Sequence, residues 1–173
     1  MAKEGTRGGD FMEGYEEKVI FINRVAKVVK GGKNFGFTAI VAVGDRAGRV
    51  GVGLGKAREV ADAIRKGGEI ARRNMKSYPL SDGGRTIPHP VEADFEATKV
   101  ILKPAAPGTG VIAGSAVRAI LEALGIQDAI TKVLGSRTPI NVVYATIKAL
   151  DQLENLEMVA KRRSIPIERL KMR

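Results

Sequence analysis

Residues that could carry out acid–base or metal chemistry are few and scattered in this sequence. The only histidine, His89, lies between two prolines, so no second imidazole is available for a metal site or a catalytic triad. Cysteine is absent, which excludes a thiolate nucleophile and a thiolate zinc site. Glu92, Asp94 and Glu96 recur at every second position and would share one face of a strand, as a solvated acidic surface does. We predict no catalytic residue, no metal site and no cofactor.

Two glycine-rich segments match phosphate-binding loops only in part. Residues 51–56 follow Val50, where a P-loop needs glycine, and precede Ala57, where it needs Ser or Thr to bind Mg²⁺. Residues 108–113 satisfy the pattern G-x-G-x-x-A, but prolines interrupt the preceding segment and Asp128 precedes the next strand instead of ending it. Neither segment therefore predicts nucleotide binding.

Residues 33–38, with the sequence KNFGFT, partly match the aromatic motif on which RRM domains stack RNA bases. An RRM requires a helix between its first strand and the strand that carries this motif, whereas only a Gly-Gly turn intervenes here. Phe35 and Phe37 alternate along one strand and share a face. We therefore expect both rings to pack in the core against the basic helix that follows.

Basic residues give the strongest functional signal in the sequence. The net charge of +10 and the pI near 10 will attract polyanions. The chain has 16 basic and 9 acidic residues up to Tyr78, and five basic residues with no acidic one between Lys18 and Asp45. This concentration of charge predicts contacts with RNA phosphates. The candidate RNA-binding residues are Arg24, Lys27, Lys30, Gly31, Gly32, Lys33, Arg49, Lys56, Arg58, Arg65, Arg72 and Arg73.

The elements that position these residues follow from hydrophobic periodicity. Alternating patterns predict strands at 18–26, 35–43 and 49–54, with a hairpin turn at Gly31 and Gly32, and a helical pattern predicts a basic helix over 56–75. Alternate glycines at 51, 53 and 55 leave one strand face bare, which would let a sugar–phosphate chain approach closely. Two glycines inside the helix, 67 and 68, should each cost about 1 kcal/mol relative to alanine, so we expect close packing there.

The second half of the chain predicts a separate α+β unit. Strands are expected at 91–96, 99–103 and 129–134, and helices at 114–124 and 139–153, the latter starting with Pro139 after Thr138. The fold class is therefore α+β with two small domains. The predicted organisation is a flexible arm at 1–15, a first domain at 16–78, a linker at 79–90, a second domain at 91–155 and a basic tail with a short helix at 156–173.

Several segments together resemble a known family, the bacterial small-subunit ribosomal protein five. The resemblance rests on NRV at 23–25, VKGG at 29–32, GRVG at 48–51, GLGKAREV at 53–60, ARRNM at 71–75, GTG at 108–110, IAG at 112–114 and PINVV at 139–143. It implies a first domain like a double-stranded-RNA-binding domain without its leading helix, and a second domain with a βαβ crossover. It also implies binding to small-subunit rRNA at the junction of head and body, contacts with ribosomal proteins four and eight, and a contribution to decoding accuracy.

The resemblance assigns roles to individual residues as well. Residues 23–32 are similar to the loop at which family members acquire spectinomycin resistance, and Ala26 stands where some relatives carry serine. Gly110 and Arg118 match positions of ribosomal-ambiguity variants near the contact with protein four.

Two other classes remain open at this point: an enzyme that uses the second domain, and a free single-strand RNA chaperone of the RRM type. The absence of an apolar run of about 20 residues and of a signal-peptide core predicts a soluble, cytoplasmic protein with no membrane partner. Co-sedimentation with small ribosomal subunits would favour the ribosomal interpretation alone.

Overall fold

The computed structural model describes residues 14–166. Most of the predicted arm at 1–15 and residues 167–173 of the predicted tail lie outside the described residues. The described part of the chain folds into two four-stranded sheets and four α-helices. The predicted α+β class is confirmed.

The first sheet consists of four antiparallel strands in sequence order. They are β1 (Glu16–Val29), β2 (Gly32–Gly44), β3 (Arg49–Ala57) and the short β4 (Lys76–Ser77). The left-handed backbone of Gly31, with φ of +98°, permits the tight turn between β1 and β2. Because pairing continues up to this turn, both strands are longer than the periodicity predicts.

The glycines of β3 lie against α1 (Val60–Arg73), and this corrects the expectation of a bare strand face open to RNA. A Cβ atom at Gly53 would lie 2.1 Å from the carbonyl oxygen of Gly67, and one at Gly55 would lie 1.9 Å from that of Ala63. The glycines therefore let the helix backbone contact the strand backbone. The expected close packing of the helix glycines is confirmed, since a Cβ at Gly67 would lie 2.8 Å from the side chain of Val41. The helix is shorter than predicted because residues 56 and 57 extend β3.

The second sheet has the strand order β5-β6-β8-β7, and two helices, α2 and α3, contact its strands. Its β7 and β8 are parallel and joined by α2, which forms the expected βαβ unit. Helix α3 begins with Pro139 after Thr138, as the sequence predicts. The elements are β5 (Val91–Phe95), β6 (Thr98–Pro104), β7 (Val111–Ile112), α2 (Ser115–Leu124), β8 (Ala129–Gly135), α3 (Pro139–Leu150) and α4 (Leu156–Arg163).

A shared core joins the two sheets. Alternate residues of β2 point to opposite sides: Val41 packs under α1, whereas Ile40 and Ala42 belong to a larger core cluster that includes residues of α2 and α3. The segment at 79–90 contains a 3-10 turn, Asp82–Gly84, and buries Ile87 to 1% exposure in the same cluster. The first sheet is therefore a middle layer between α1 and the second half of the chain.

Candidate nucleic-acid interface

The end of the β1–β2 hairpin extends beyond the rest of the first sheet. Strand β3 pairs with β2 only from Phe37 onward, so residues 24–36, hereafter the basic hairpin, form a ribbon of two strands. Five residue pairs, from Val25–Gly36 to Val29–Gly32, extend it by about 17 Å at the usual rise of a strand. Residues 24–35 are all exposed. A twisted ribbon of this kind can enter a nucleic-acid groove or lie along a phosphate backbone.

The cations of the basic hairpin have no ion-pair partner in the part of the chain that the structure describes. Within residues 14–166, no carboxylate forms a salt bridge with Arg24, Lys27, Lys30 or Lys33. Gly31 forms the turn with Lys30, Gly32 begins β2 opposite Val29, and both glycines are exposed. These side chains can therefore exchange their counterions for phosphates without losing an internal partner.

Three of the predicted RNA-binding arginines are instead paired within the chain. Arg49 lies 2.6 Å from Asp45, and Arg65 lies 3.3 Å from both Asp62 and Glu69. The pKa of Asp45 is lowered although burial acts to raise it, because hydrogen bonds from the Arg49 side chain and from backbone N–H groups outweigh the burial. A phosphate would have to compete with these carboxylates. The third, Arg72, lies 3.4 Å from Glu17 of β1.

The structure separates the predicted residues into two groups. Lys56 pairs with Thr38 on the strands, and Arg58 lies in the short connection between β3 and α1, so both lie near the base of the basic hairpin. Arg49 starts β3 at the opposite end of the sheet, about 40 Å from the hairpin turn, which is the length of β2. Helix α1 runs back toward the Arg49 end of the sheet, as the contact between Gly51 and Ala71 shows. Arg72 and Arg73 therefore lie near that end, and Arg65 lies about midway along the helix.

Phe35 and Phe37 have different environments, which corrects the expectation that both pack in the core. Phe37 lies against the core cluster under α1, as expected. Phe35 is 50% exposed on the basic hairpin, and the guanidinium carbon of Arg24 lies 4.1 Å from its ring centroid. Sequence alternation places both rings on one face, but β3 and α1 end before they reach Phe35.

The loop before α2, which carries Gly110, is held by a buried carboxylate that the sequence did not single out as a site. Asp128 is 2% exposed and accepts hydrogen bonds from the backbone N–H groups of Gly108 at 3.0 Å and Gly110 at 2.9 Å. The Gly110 bond in particular lowers the pKa of Asp128, and Arg85 contributes to the same shift against the effect of burial. Gly110 adopts a φ of +78°, where a side chain would be strained. Gly108 and Gly110 are 20 and 18 residues away from Asp128 in the sequence, so no local residue pattern could have predicted this arrangement.

Arg118 projects from α2 beside the buried stripe formed by Val117, Ile120, Leu121 and Leu124, as predicted. Its side chain is exposed and donates a hydrogen bond of 3.2 Å to the carbonyl of Val111. The same residue therefore supports the loop that contains Gly110 and keeps part of its guanidinium accessible.

His89 and Glu92, two of the residues considered for catalysis, have structural partners. His89 Nε2 accepts a hydrogen bond of 3.0 Å from the backbone N–H of Glu154, and the second ring nitrogen lies 3.1 Å from the carbonyl of Pro90. Glu92 forms an ion pair of 2.8 Å with Lys99. Among residues 14–166, no cluster of three His, Asp or Glu side chains could hold a metal ion, and no helix is long and apolar enough to cross a membrane.

Comparison with known proteins assigns both halves of the chain. Residues 15–79 match the family described as ribosomal protein S5, N-terminal domain, and residues 93–163 match ribosomal protein S5, C-terminal domain. The small ribosomal subunit protein uS5 of Chloroflexus aurantiacus is 56% identical over 90% of this chain and 86% of its own length. The corresponding proteins of Thermus thermophilus and Syntrophobacter fumaroxidans are 59% and 57% identical, over 80% and 90% of this chain and over 85% and 92% of their own lengths.

These matches and the basic hairpin define an RNA-binding ribosomal protein built from two small α+β domains. Since the identity exceeds one half over most of the chain, the chain belongs to the ribosomal protein S5 family. The family consists of structural, non-enzymatic proteins, so the prediction that the chain is not an enzyme is confirmed.

Proposed function

We propose that this protein is a structural constituent of the small ribosomal subunit and that its basic hairpin binds small-subunit rRNA at the junction of head and body. The observation that carries the proposal is a set of four cations on an exposed ribbon that form no ion pair with any other of the described residues, 14–166. The family supports the ribosomal setting, and with it a cytoplasmic location within the ribosome. The contact is scaffolding, because the hairpin positions RNA without transforming it.

The test is a charge reversal on the hairpin. If about six phosphates are neutralised, the affinity of the wild-type protein for a small-subunit rRNA transcript should fall about a thousandfold between 50 and 200 mM salt. Lys27→Glu combined with Lys30→Glu should lower the affinity and flatten this salt dependence, because two phosphate contacts are lost. Both side chains are exposed at the hairpin end, so the melting temperature should stay within the small range of surface substitutions.

The matched control reverses the same number of charges elsewhere. Lys103 and Lys132 are exposed on strands of the second sheet, and Lys103→Glu with Lys132→Glu produces the same change of net charge. This control should lower affinity much less than the hairpin variant. Equal losses for the two double variants would show that net charge alone binds RNA, without a specific role of the hairpin.

We also propose that Gly110 and Arg118 lie at the contact with ribosomal protein four, that the protein contacts ribosomal protein eight as well, and that the contact with protein four affects decoding accuracy. Support comes from the exposed guanidinium of Arg118 and from its bond to the loop that carries Gly110. Residues 23–32 are correspondingly proposed as the spectinomycin-resistance loop, because they form the end of the hairpin that we propose to bind rRNA.

Arg118→Leu tests the accuracy proposal. The substitution should weaken the protein contact by about 1–3 kcal/mol, as loss of a charged hydrogen bond does, and raise misreading of stop codons. The measurement is a readthrough reporter in cells whose only copy carries the substitution, with Lys103→Leu as control. Normal incorporation into subunits combined with unchanged readthrough would contradict the proposed role.

A further inference from the structure

The basic hairpin carries an ordered aromatic–guanidinium pair as well as lysines. Arg24 lies with its guanidinium carbon 4.1 Å from the ring centroid of Phe35, and half of the Phe35 surface remains exposed. The strand register explains this contact: Ala26 pairs with Phe35, so Arg24 is the diagonal neighbour of the ring on the same face. A cation–π contact of this kind holds two planar groups in a defined arrangement.

The surface around this pair is apolar and is flanked by cations. Ala26 and Val28 continue the same face of the hairpin, and Val28 is 73% exposed. Lys33 pairs with Val28 and places a second cation on that face, beyond the ring from Arg24. A ribbon that bound phosphates alone would need only cations, whereas an exposed ring and valine remain unfavourably in contact with water until something covers them. Apolar surface between two cations fits a nucleobase and the phosphates beside it.

We propose that the Arg24–Phe35 pair is a stacking platform for an unpaired nucleobase. The inference rests on the proposed binding of rRNA by the basic hairpin, and it specifies the kind of RNA structure bound there. Bases within a continuous duplex are already stacked on both faces, while a bulged or loop base has a face free for an aromatic ring or an arginine plane. The hairpin therefore selects an unpaired nucleotide over an uninterrupted duplex.

Two RNA probes test this selectivity with the full-length protein. One is a short RNA duplex with a single bulged 2-aminopurine, and the other is the same duplex fully paired with 2-aminopurine inside it. The wild-type protein should bind the bulged probe about tenfold more tightly, a difference of about 1.4 kcal/mol. Binding should also quench the fluorescence of the bulged 2-aminopurine, because the base stacks on the platform.

Phe35→Leu keeps an apolar side chain but removes the ring. It should abolish the preference for the bulged probe, leave affinity for the paired probe unchanged and leave the salt dependence unchanged. Phe21→Leu is the matched control: Phe21 is 42% exposed on the same strand pair, but it pairs with Ile40 and lies on the opposite face. This variant should retain the preference, as should Phe35→Tyr. Arg24→Lys keeps the charge without the planar group and should reduce the preference.

The outcomes separate the platform from the broader proposal. Equal, salt-dependent binding of both probes by the wild-type protein would overturn the platform and leave the rRNA-binding function standing. Absence of binding to either probe at low salt would overturn both. An equal loss for both probes in Phe35→Leu would mean that the ring only maintains the hairpin, and would likewise overturn the platform. Thermal melting of each variant identifies loss of folding; if Phe35→Leu does not fold, Arg24→Lys carries the comparison, and an undiminished preference in that variant would overturn the platform.

Discussion

Single side chains in this protein act mainly by fixing backbone segments. Asp128 is the clearest case, because its carboxylate joins the loop at Gly108 and Gly110 to Arg85, which precedes the second sheet. Its own backbone carbonyl accepts a hydrogen bond of 2.6 Å from the hydroxyl of Thr86. One buried acid thus holds three parts of the chain that are distant in sequence.

Asp128→Asn should destabilise the protein at neutral pH, because a neutral amide accepts the Gly110 hydrogen bond more weakly than a carboxylate. The pKa of Asp128 is lowered on folding, so its contribution is fully present above the unfolded pKa of about 3.9 and is lost as pH falls through the folded value. The stability difference between wild type and variant should therefore shrink on acidification below about pH 4.

Urea unfolding at pH 7, 4 and 3 measures this difference. Asp94→Asn, at an exposed position of β5, is the control and should show no comparable gap at pH 7. A difference between Asp128→Asn and wild type that stays constant from pH 7 to pH 3 would rule out the carboxylate as its source.

The β3–α1 unit depends on direct contact between two backbones. The alternating glycines of β3 face α1, while Val50, Val52 and Leu54 face the larger core. The alternating glycines, which the sequence suggested would open one strand face to RNA, thus serve the packing of β3 against α1. Because this face is covered, we expect RNA to contact the side chains of the hairpin and of the other exposed surfaces instead.

Gly53→Ala should destabilise the fold by about 3 kcal/mol, the upper part of the range for overpacked cores, because the added Cβ would lie 2.1 Å from the Gly67 carbonyl oxygen. Gly114→Ser is the control, since a Cβ there meets no atom within 4 Å and a serine can cap α2. Chemical denaturation of both variants measures the difference. Similar stability of Gly53→Ala and wild type would exclude close backbone contact between β3 and α1.

The molecule as a whole is held together by a core that crosses the proposed domain boundary. Ile40, Val50 and Tyr78 of the first half share a cluster with residues of the second half. An ion pair between Lys18 and Glu122 and another of 3.0 Å between Lys76 and Asp151 connect the same halves. The division at 79–90 stays a prediction, but that segment is packed in the core, as the burial of Thr86 and Ile87 indicates.

A fragment of residues 14–78 should therefore unfold at a lower urea concentration than the intact chain and bind a hydrophobic dye, because one face of its sheet loses its cover. The control is the intact chain carrying a protease site at the exposed turn around Gly83, cut after folding. The two pieces of the cut chain should stay associated with each other and should not bind the dye, because the shared core remains covered. An isolated fragment as stable as the intact chain would mean that the two halves fold independently.

The sequence by itself determined the α+β class, most elements and the cationic hairpin. Alternation and helical periodicity are local properties, so α2, β8 and the start of α3 fall within a residue or two of their predicted positions. The glycine pair before Lys33 likewise predicts the turn from local backbone geometry.

Only the tertiary structure decided which of these features face the core, an ion pair or the solvent. Phe35 and Phe37 are equivalent by alternation, yet β3 and α1 cover one and leave the other exposed. Arg72 is paired with Glu17, 55 residues away, while Lys27 has no ion-pair partner in residues 14–166. The physical reason is common to these cases. The burial and the ion pairing of these side chains depend on neighbours that are distant in sequence, and local residue patterns do not identify those neighbours.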